Sequence, residues 1–323
     1  MSQAEAYDLI IVGGGPAGLT AGIYAMRAAL KTVLIEKGPA GGQIVLSDEV
    51  ENWPGTERIG GTELAMNMAN HADSYGLEVR NQEVVAIEPG LDIHTVRLDS
   101  GESITAHAVI LSTGGSPRQL NIPGENEFYG KGVSYCAVCD GFFFRGKTVM
   151  VIGGGDSAVE ESLYLAKLAK RVYIAHRRDA LRASRILQQR AMNDCNIEIL
   201  WNSVPVEIHA APEGPVDRVT LKDTRSGETR EMPVDGVFIF IGFQPNNAVV
   251  PAGIKLNAQG YVITDAKCET DIPGIFAVGD LREKYARQIV TAAADGAVAA
   301  LASAHFVETK KATAADTCEL PVQ

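Results

Sequence analysis

The sequence predicts an α/β protein, because two apolar runs are each followed by a glycine-rich loop and then by a helix-like stretch. The first is YDLIIVGGGPAG, continued by LTAGIYAMRAA, and the second is KTVMVIGGGDSAVEESLYLAKLA. A short apolar run that ends in glycines is typical of a buried parallel strand. Since strand, loop and helix recur in the same order, the chain is expected to hold two copies of one βαβ arrangement.

Both loops carry the fingerprint of a dinucleotide-binding turn. In the first copy it reads Gly13-x-Gly15-x-x-Gly18, and the second copy repeats it from Gly153 with alanine in the last position. A single such pattern is a weak signal, because many turns contain three glycines. Two patterns, each after a strand and before a helix, predict two Rossmann-like dinucleotide-binding domains.

The residues that close the next strand of each copy differ in charge. TVLIE ends at Glu36 and VYIAH ends at His176, and each end lies 23 positions beyond the first glycine of its own fingerprint, Gly13 and Gly153. A carboxylate at this position accepts hydrogen bonds from adenosine ribose hydroxyls and repels a 2′-phosphate. The first copy therefore predicts a dinucleotide with a free ribose, either FAD or NAD.

The second copy replaces that acid with a basic cluster, His176, Arg177 and Arg178, followed by Arg182 about one turn later. Such a cluster attracts the 2′-phosphate that distinguishes NADPH. The alternative interpretation of HRRD is a solvated charged turn. The matched spacing of the two copies favours the NADPH site.

Each copy continues through a hairpin with a Ser-Gly-Glu turn into a final strand, and the chain then adds a further apolar run, TDIPGIFAVGD. This run is expected to return to the first domain, where Asp280 accepts a hydrogen bond from a ribityl hydroxyl, which favours FAD over NAD. A following helix from about Arg287 to His305 would direct its positive end toward the flavin ring. Asp280 as an ordinary turn residue after a strand is the alternative.

The domain organisation follows from this order. We expect residues 1–116 and 246–323 to form an FAD-binding domain, and residues 117–245 to form an inserted NADPH-binding domain that carries CAVCD. Glycine and proline mark both crossings, which makes a hinge plausible. The chain after Val307 is expected to be a loosely ordered, flexible tail.

The pair Cys136 and Cys139 has three interpretations. A structural zinc site needs four ligands, and no second C-x-x-C or suitable histidine pair accompanies this one. Two inert buried thiols are also possible. A redox disulfide explains why the pair lies beside two dinucleotide sites, with Asp140 placed to move the proton that a leaving or entering sulfur needs. Asp140 as a helix cap or turn residue is the alternative.

Composition limits the classes of function. The chain has 323 residues, 46% of them hydrophobic, which is enough for packed cores, and its net charge of −11 makes nucleic acid an unexpected partner. No secretory signal is visible, and the most apolar stretch is interrupted by Asp295, so no membrane span and a cytoplasmic location are expected. Five cysteines without a signal do not suggest a structural disulfide framework.

The motifs together resemble the bacterial low-molecular-weight thioredoxin reductases over about residues 5–307. The shared segments are GGGPAG, the Gly41-Gly42-Gln43 loop, ENWPG, CAVCDG, GGGDSAVEE, HRRDALR, FAVGD and RQIVTAAADG. The resemblance implies an FAD site of Gly13, Gly15, Pro16, Ala17, Gly18, Glu36, Lys37, Gly42, Gln43, Asn52, Gly114, Gly279, Asp280, Arg287, Gln288 and Ile289. It implies an NADPH site of Gly153, Gly155, Asp156, Ser157, His176, Arg177, Arg178 and Arg182.

The resemblance also implies roles that the residues alone leave open. Cys139 would contact the flavin and Cys136 would attack the disulfide of thioredoxin, while Phe142 and Phe143 would grip that partner in a homodimeric enzyme. In the family, rotation of the inserted domain brings first one and then the other redox site to the flavin. Plain core packing of the phenylalanines, the reductase of a peroxide-reducing system, and a non-catalytic NADPH sensor are the competing interpretations.

Overall fold

The computed structural model describes residues 5–47, 49–212 and 214–316. The chain divides into two compact units, Met1–Ser116 with Gln244–Gln323, and Pro117–Phe243. The second unit ends two residues before the expected boundary at 245. Which cofactor belongs to each unit stays a prediction at this point.

The elements are numbered in chain order. The strands are β1 (Glu5–Val12), β2 (Thr32–Glu36), β3 (Glu78–Asn81), β4 (Val84–Glu88), β5 (His94–Leu98), β6 (Ser103–Leu111), β7 (Gly115–Pro117), β8 (Val133–Ser134), β9 (Thr148–Gly153), β10 (Arg171–Ala175), β11 (Ile197–Leu200), β12 (Ser203–Ala210), β13 (Val216–Asp223), β14 (Thr229–Pro233), β15 (Gly236–Phe240), β16 (Phe243–Pro245) and β17 (Ile275–Ala277). The helices are α1 (Pro16–Arg27), α2 (Gly61–Ser74), α3 (Ala137–Asp140), α4 (Asp156–Leu165), α5 (Arg185–Asn193) and α6 (Ile289–Asp316). Short 3-10 turns span Gly42–Leu46, Gly141–Phe144 and Gly279–Leu281.

The first unit is built on one sheet with the order β3-β2-β1-β6-β5-β4, and β17 pairs with β6. Strand β1 lies parallel to β2 and β6, and β17 lies parallel to β6. Parallel strands end at the same edge of a sheet, where α/β proteins bind ligands. The residues that follow β1, β2, β6 and β17 therefore meet along one edge.

The two faces of this sheet are covered by different layers. Leu9 and Ile11 of β1 belong to a core shared with α1, α2 and α6. Ile10 and Val12, which point the opposite way, belong to a core shared with residues of β4 and β5. Because successive side chains of a strand alternate between faces, a continuous apolar run is needed when both faces are covered.

The second unit repeats this plan on a parallel sheet with the order β11-β10-β9-β15-β8. Val149 and Val151 of β9 pack in a core with α4 and α5, whereas Met150 and Ile152 pack against the three-stranded sheet β12-β13-β14. The edge strand β8 is parallel to β15. Cys136 follows β8 after one residue, so the sheet brings the cysteine pair to the edge that also carries the second fingerprint.

Both Ser-Gly-Glu turns form as the sequence predicts. The first joins β5 to β6 and the second joins β13 to β14, and in each the central glycine has a positive φ, 85° at Gly101 and 78° at Gly227. This backbone conformation favours glycine because it has no Cβ. The two units therefore share this hairpin turn as well as the glycine loop.

The connections between the units run side by side, because β7 and β16 pair as a two-stranded sheet. The amide of Arg118 donates to the carbonyl oxygen of Gly242 at 2.9 Å, and the amide of Asn246 donates to that of Gly114 at 3.0 Å. The two crossings therefore have paired backbones.

The prediction of a flexible tail after Val307 is wrong for residues 308–316, because α6 continues to Asp316. The segment ETKKATAAD has three Ala and two Lys, which are good helix formers. Ion pairs link Lys310 to Asp92 at 2.7 Å and Lys311 to Asp8 at 2.7 Å. These contacts with unit 1 give the extended helix tertiary support. The rest of the predicted tail, including Cys318, lies outside the described residues.

One described helix, Ile289–Ala312 within α6, is long and apolar enough to cross a membrane by length and composition alone. This is a weak indication, since the core helix of a globular protein passes the same test. Here the helix packs closely on α1, because a Cβ added to Gly296 would overlap the carbonyl oxygen of Ala17. The contact shows that α6 packs against the first unit along this face.

Candidate active site

The first glycine loop brings strand and helix into close contact. Gly13 has a φ of 108°, and a Cβ there would lie 2.5 Å from the carbonyl oxygen of Ser112. A Cβ on Gly18 would overlap the carbonyl oxygen of Gly13. Gly15 is different, because its open side meets only the Cα of Gly42 at 3.9 Å. The loop therefore leaves a free approach to the N-terminus of α1, where backbone N–H groups favour a phosphate.

Glu36 lies across this loop and accepts two backbone hydrogen bonds. The amide of Gly14 donates to its Oε2 at 2.6 Å, and the amide of Gly38 donates to its Oε1 at 2.9 Å. These bonds fix the carboxylate, and its remaining lone pairs are available to ribose hydroxyls. The neighbouring Lys37, also predicted at the cofactor, pairs instead with Glu83 at 3.1 Å on the surface.

Asp280 carries a buried carboxylate oxygen that accepts no hydrogen bond from the described part of the chain. Its Oδ1 is buried without a hydrogen-bond partner there, and the ammonium group of Lys284 lies 3.8 Å away. Burial raises the pKa of Asp280, and the charges of Lys284 and Arg287 oppose this effect. An orphaned carboxylate oxygen at the carboxyl edge of a sheet is what a bound hydroxyl group would satisfy.

Asp295 of α6 holds the turn that carries Asp280. Its carboxylate accepts from the amide of Gly279 at 3.1 Å, from Arg282 at 3.0 Å and from Lys284 at 3.1 Å. Each of these donors lies in or beside the turn. In the sequence Asp295 is visible only as an interruption of an apolar stretch, because no local pattern indicates a contact with the turn.

Other predicted FAD residues come together from distant parts of the chain. The side-chain amide of Asn52 donates to Oε1 of Gln288 at 3.2 Å, although 236 positions separate the two residues. The guanidinium of Arg287 lies 4.1 Å from the ring centre of Tyr261. Gly114 has a φ of 66° and open space where a Cβ would stand. Further predicted residues lie at the start of α1 (Pro16, Ala17), in the Gly42–Leu46 turn (Gln43) and at the start of α6 (Ile289).

The residues of the first unit fit FAD. The free approach at Gly15, the fixed carboxylate of Glu36 and the orphaned Oδ1 of Asp280 could hold the pyrophosphate, the adenosine ribose and the ribityl chain. NAD has no ribityl chain, so it would leave the buried oxygen of Asp280 without its expected donor.

The second glycine loop is closed by a histidine. His176 is 5% exposed, and a Cβ on Gly154 would overlap its ring. Its Nδ1 lies 2.9 Å from the carbonyl oxygen of Gly153, and its Nε2 lies 3.0 Å from that of Ala180. The sequence predicted His176 as a phosphate ligand, whereas in the structure both ring nitrogens face backbone carbonyl oxygens rather than an open surface. The contribution of His176 is therefore to position the chain that bears the arginines.

The arginines remain free to meet a ligand. Arg177, Arg178 and Arg182 are exposed, and the guanidinium of Arg182 lies near Gly155, 3.9 Å from where a Cβ would stand. Asp156, at the first turn of α4, accepts from the amide of Ser184 at 2.7 Å, which ties the helix start to the same loop. Ser157 is exposed in this first turn. The arrangement offers a helix N-terminus and a basic surface side by side, as a phosphorylated dinucleotide requires.

Cys136 and Cys139 form a disulfide, with their Cα atoms 5.3 Å apart. Cys136 caps the short helix α3, and the amide of Cys139 donates to its Sγ at 3.2 Å. Both cysteines are half-buried. The remaining described cysteines are reduced: Cys195 is exposed, and burial raises the pKa of Cys268 to about 11.

Asp140, at the end of α3, is joined to the disulfide segment by a serine. The hydroxyl of Ser134 donates to Oδ2 of Asp140 at 2.5 Å, and it accepts from the amide of Cys136 at 3.0 Å. Ser134 is 3% exposed and ends β8. Burial and the charge of Asp140 both raise the pKa of Tyr129. Ser134 was not predicted as a site residue, although it lies two positions before Cys136 in VSYCAVCD.

The three phenylalanines after the disulfide have different environments. Phe142 is 51% exposed, Phe143 is half-buried, and Phe144 is buried with its ring 5.1 Å from that of Phe238 in an edge-to-face arrangement. The guanidinium of Arg145 lies 5.5 Å from the ring centre of Phe142. Phe144 therefore anchors the turn in the core, and Phe142 is presented on the surface.

No cluster of three or more His, Cys, Asp or Glu suited to a metal ion is found within residues 5–47, 49–212 and 214–316. The described chemistry of the second unit is that of a disulfide, a neighbouring acid and a nucleotide-binding loop.

Comparison with known proteins gives consistent results over nearly the whole chain. Residues 7–296 match the pyridine nucleotide-disulphide oxidoreductase family. The chain is 48% identical over 309 residues to a thioredoxin reductase of Bacillus subtilis (strain 168), covering 95% of this chain and 97% of that protein. It is 46% identical over 304 residues to a thioredoxin reductase of Treponema pallidum (strain Nichols), covering 94% of this chain and 98% of that protein.

Solved structures lead to the same group. The thioredoxin reductase of Streptococcus pyogenes MGAS5005 has a TM-score of 0.91 at 42% identity, covering 95% of this chain and all of that one. The thioredoxin reductase of Lactococcus lactis in its FR conformation has a TM-score of 0.64 at 45% identity, covering 94% of this chain and 99% of that one. The two solved structures thus differ in their fit to this chain more than their sequences do.

Proposed function

The chain belongs to the thioredoxin reductases of the pyridine nucleotide-disulphide oxidoreductase family, and we propose that it reduces the disulfide of thioredoxin with electrons from NADPH. The observation that carries this proposal is the Cys136–Cys139 disulfide at the carboxyl edge of a nucleotide-binding sheet. An acid follows the pair directly. A redox disulfide in this position gives a role to the cysteine pair, to Asp140 and to the second glycine loop.

The family uses FAD and NADPH. When bound, FAD supplies a two-electron carrier between the nicotinamide and the disulfide. In this chain Glu36 and Asp280 would hold its ribose and ribityl hydroxyls, and the Gly13 loop would face its pyrophosphate. The exposed Arg177, with its neighbours Arg178 and Arg182, would bind the 2′-phosphate of NADPH.

The proposed roles of the two sulfurs differ. The amide of Cys139 donates to Sγ of Cys136 at 3.2 Å, and a hydrogen bond to sulfur favours its thiolate form. This supports Cys136 as the nucleophile that attacks the disulfide of thioredoxin. Cys139 is then the sulfur that meets the flavin, and it later displaces thioredoxin by re-forming the bond with Cys136.

Asp140 is proposed to move the proton of this exchange. When the Cys136 thiolate attacks, the bond between the two thioredoxin sulfurs breaks, and the departing thiolate takes a proton from the carboxyl group of Asp140. Asp140 follows Cys139 directly and ends the same short helix, which keeps it beside the exchange.

The partner and the assembly are also proposed. Phe142 and Phe143 would contact thioredoxin, which is supported by the exposure of Phe142 next to the disulfide. A cytoplasmic homodimer is the expected form. Rotation of the inserted domain is supported by the spread of TM-scores, 0.91 and 0.64, between two solved relatives of similar identity, one of which is described as an FR conformation.

Replacing either member of the disulfide tests the proposal. Cys136→Ser and Cys139→Ser should each lower NADPH-dependent thioredoxin reduction by at least about a thousandfold, because no second sulfur remains to close the exchange. FAD should stay bound at full occupancy, and NADPH should still bleach its absorbance in anaerobic titration. Steady-state turnover with thioredoxin and flavin absorbance are the measurements.

Cys195→Ser is the matched control, since Cys195 is an exposed free thiol of the same unit and its loss should leave turnover unchanged. Full thioredoxin reduction by either disulfide variant contradicts the proposal. Wild-type protein that binds NADPH but never passes electrons to thioredoxin identifies a sensor instead.

A further inference from the structure

Ser134 has a position that the family resemblance does not explain. It is almost fully buried, it ends β8, and its hydroxyl lies within hydrogen-bond distance of three groups. These are Oδ2 of Asp140 at 2.5 Å, the amide of Cys136 at 3.0 Å and the carbonyl oxygen of Cys136 at 3.3 Å. One hydroxyl thus links the acid to the backbone of the attacking cysteine.

The hydrogen-bonding capacity of a hydroxyl group limits how these contacts combine. A serine has one proton to donate and two lone pairs to accept with. The amide of Cys136 can only donate and its carbonyl can only accept, so Oδ2 of Asp140 is the variable partner. When Asp140 is a carboxylate, Ser134 donates to it.

The same hydroxyl serves the protonated acid. A carboxyl proton on Asp140 then points to Oγ of Ser134, and the serine proton turns to the carbonyl oxygen of Cys136 at 3.3 Å. Neither protonation state leaves a buried polar group without a partner, which would be costly. Asp140 can therefore gain and lose a proton without any movement of the backbone.

We propose that Ser134 is a positioning residue that holds the carboxyl group of Asp140 beside the Cys136–Cys139 disulfide and supports both of its protonation states. This inference deepens the proposed function, because it concerns the proton that accompanies each thiol–disulfide exchange. Ser134 itself touches neither the substrate nor the cofactor in this account.

Two other titratable groups near the disulfide, Tyr129 and Glu161, do not replace Asp140 as the acid bonded to Ser134. Tyr129 has its pKa raised by burial and by the charge of Asp140, so it stays neutral near pH 7. Helix α4 packs on α3 and carries Glu161, whose raised pKa is due to burial and to Glu160 rather than to Asp140. The sulfurs of Cys136 and Cys139 lie in the same short segment as Asp140.

The test uses dithiothreitol, so that it depends on neither NADPH nor thioredoxin. A thiolate of the reagent attacks one sulfur of the disulfide, the other sulfur leaves and takes a proton from Asp140, and a second attack releases oxidised reagent and the protein dithiol. The rate of disulfide reduction in the oxidised holoenzyme is followed by iodoacetamide trapping and mass spectrometry. Each rate is divided by the thiolate fraction of the reagent at that pH.

In the wild type the corrected rate should fall as pH rises and Asp140 loses its proton. In Ser134→Ala this fall should move to higher pH by about one pH unit or more, because the carboxylate loses a donor that favours its charged form. Ser203→Ala is the matched control. Ser203 is also a buried strand serine of the same unit, and its hydroxyl bonds to the carbonyl of Trp201.

A double variant separates positioning from a structural effect. In Asp140→Asn the fall with pH should be absent, and Ser134→Ala added to Asp140→Asn should change neither the rate nor its pH dependence. The proposal is overturned if Ser134→Ala keeps the wild-type profile, or if it lowers the rate equally with and without Asp140.

Failure of this inference is distinct from failure of the proposed function. A wild-type protein that does not reduce thioredoxin with NADPH would refute the function, while the dithiothreitol profile would still report on Ser134 and Asp140.

Discussion

The two glycine-loop units use the same position for opposite purposes. Glu36 and His176 both close the strand after the fingerprint, and both pack on the middle glycine of their loop, Gly14 or Gly154. Glu36 accepts from the amide of Gly14, whereas His176 lies against the carbonyl oxygen of Gly153. The first unit therefore presents an acceptor at the strand end. The second hides its strand-end residue and presents the following arginines.

This comparison shows that equivalent sequence positions need not have equivalent roles. The shared spacing fixes where the strand-end side chain lies, and the chemistry of that side chain determines which groups are presented beside the loop. In the first unit a carboxylate lies against the loop, and in the second the following arginines are exposed.

The largest expected effect concerns the last position of the fingerprint, where Gly18 corresponds to Ala158. A Cβ on Gly18 would overlap the carbonyl oxygen of Gly13, which also accepts from Ser112 at 2.8 Å and cannot move freely. Gly18→Ala should lower the free energy of unfolding of the first unit by about 3 kcal/mol or more and release FAD. Flavin absorbance per chain after gel filtration and the midpoint of urea unfolding are the measurements.

Ala158→Gly is the reciprocal change and should cost only about 1 kcal/mol, the helix propensity difference between the two residues. NADPH binding should survive it. Equal losses of unfolding free energy in Gly18→Ala and Ala158→Gly would show that α1 and α4 approach their strands equally closely. That result would contradict the difference between the two glycine loops.

The second effect concerns the arginines that replace the acid. Arg177→Ala should raise the KM for NADPH about 10- to 100-fold and leave the KM for NADH unchanged, because only NADPH carries the phosphate that forms a charge-assisted hydrogen bond. The ratio of kcat/KM for the two cofactors is the measurement. Arg218→Ala, which removes a surface arginine paired with Asp217 and Glu231 in the same unit, should not alter that ratio. A parallel loss for NADPH and NADH would assign Arg177 another role.

The smallest effect concerns Asp280, a half-buried acid of the first unit. Burial raises the pKa of Asp280, so the folded protein without FAD binds a proton more tightly than the unfolded chain does, and its stability falls as pH rises from the unfolded value of 3.8 to the folded one. Asp280→Asn should therefore stabilise the FAD-free protein by about 1 kcal/mol at pH 7.

This gain in stability should disappear below pH 3.8, where Asp280 is protonated in both states. The same variant should bind FAD more weakly, which titration of the FAD-free protein by fluorescence would measure. A Tm lower than that of the wild type at pH 7, in the absence of FAD, would show that the carboxylate is satisfied by Lys284 and needs no ligand.

The sequence predicts the parts of this molecule whose signals are local or are repeated in the two units. The strands ending at Glu36 and near His176, the two Ser-Gly-Glu turns and the disulfide are all present in the structure, because their signals lie within short windows. The assignment of the thioredoxin reductase family from those motifs is confirmed by the relatives at 45–48% identity.

The remaining features depend on contacts between separate elements. Asp295 lies in α6 and accepts a hydrogen bond from the amide of Gly279, in the turn that carries Asp280. Nothing in the local sequence indicates that contact. The burial of His176 follows from the small size of Gly154, which only the folded loop reveals. The helix through Asp316 was missed because a polar composition suggested disorder, although Lys310 and Lys311 find acidic partners elsewhere in the first unit.

The division of the first unit into two stretches of chain has a consequence for how the protein is made. The second unit, Pro117–Phe243, leaves the ribosome complete, while the first unit still lacks β17 and the acid that follows it. Strand β6 must wait for β17 to pair along Val109 to Leu111. A nascent chain shorter than about 280 residues lacks β17 or the acid that follows it, so we expect the first unit to complete its sheet only near the end of synthesis.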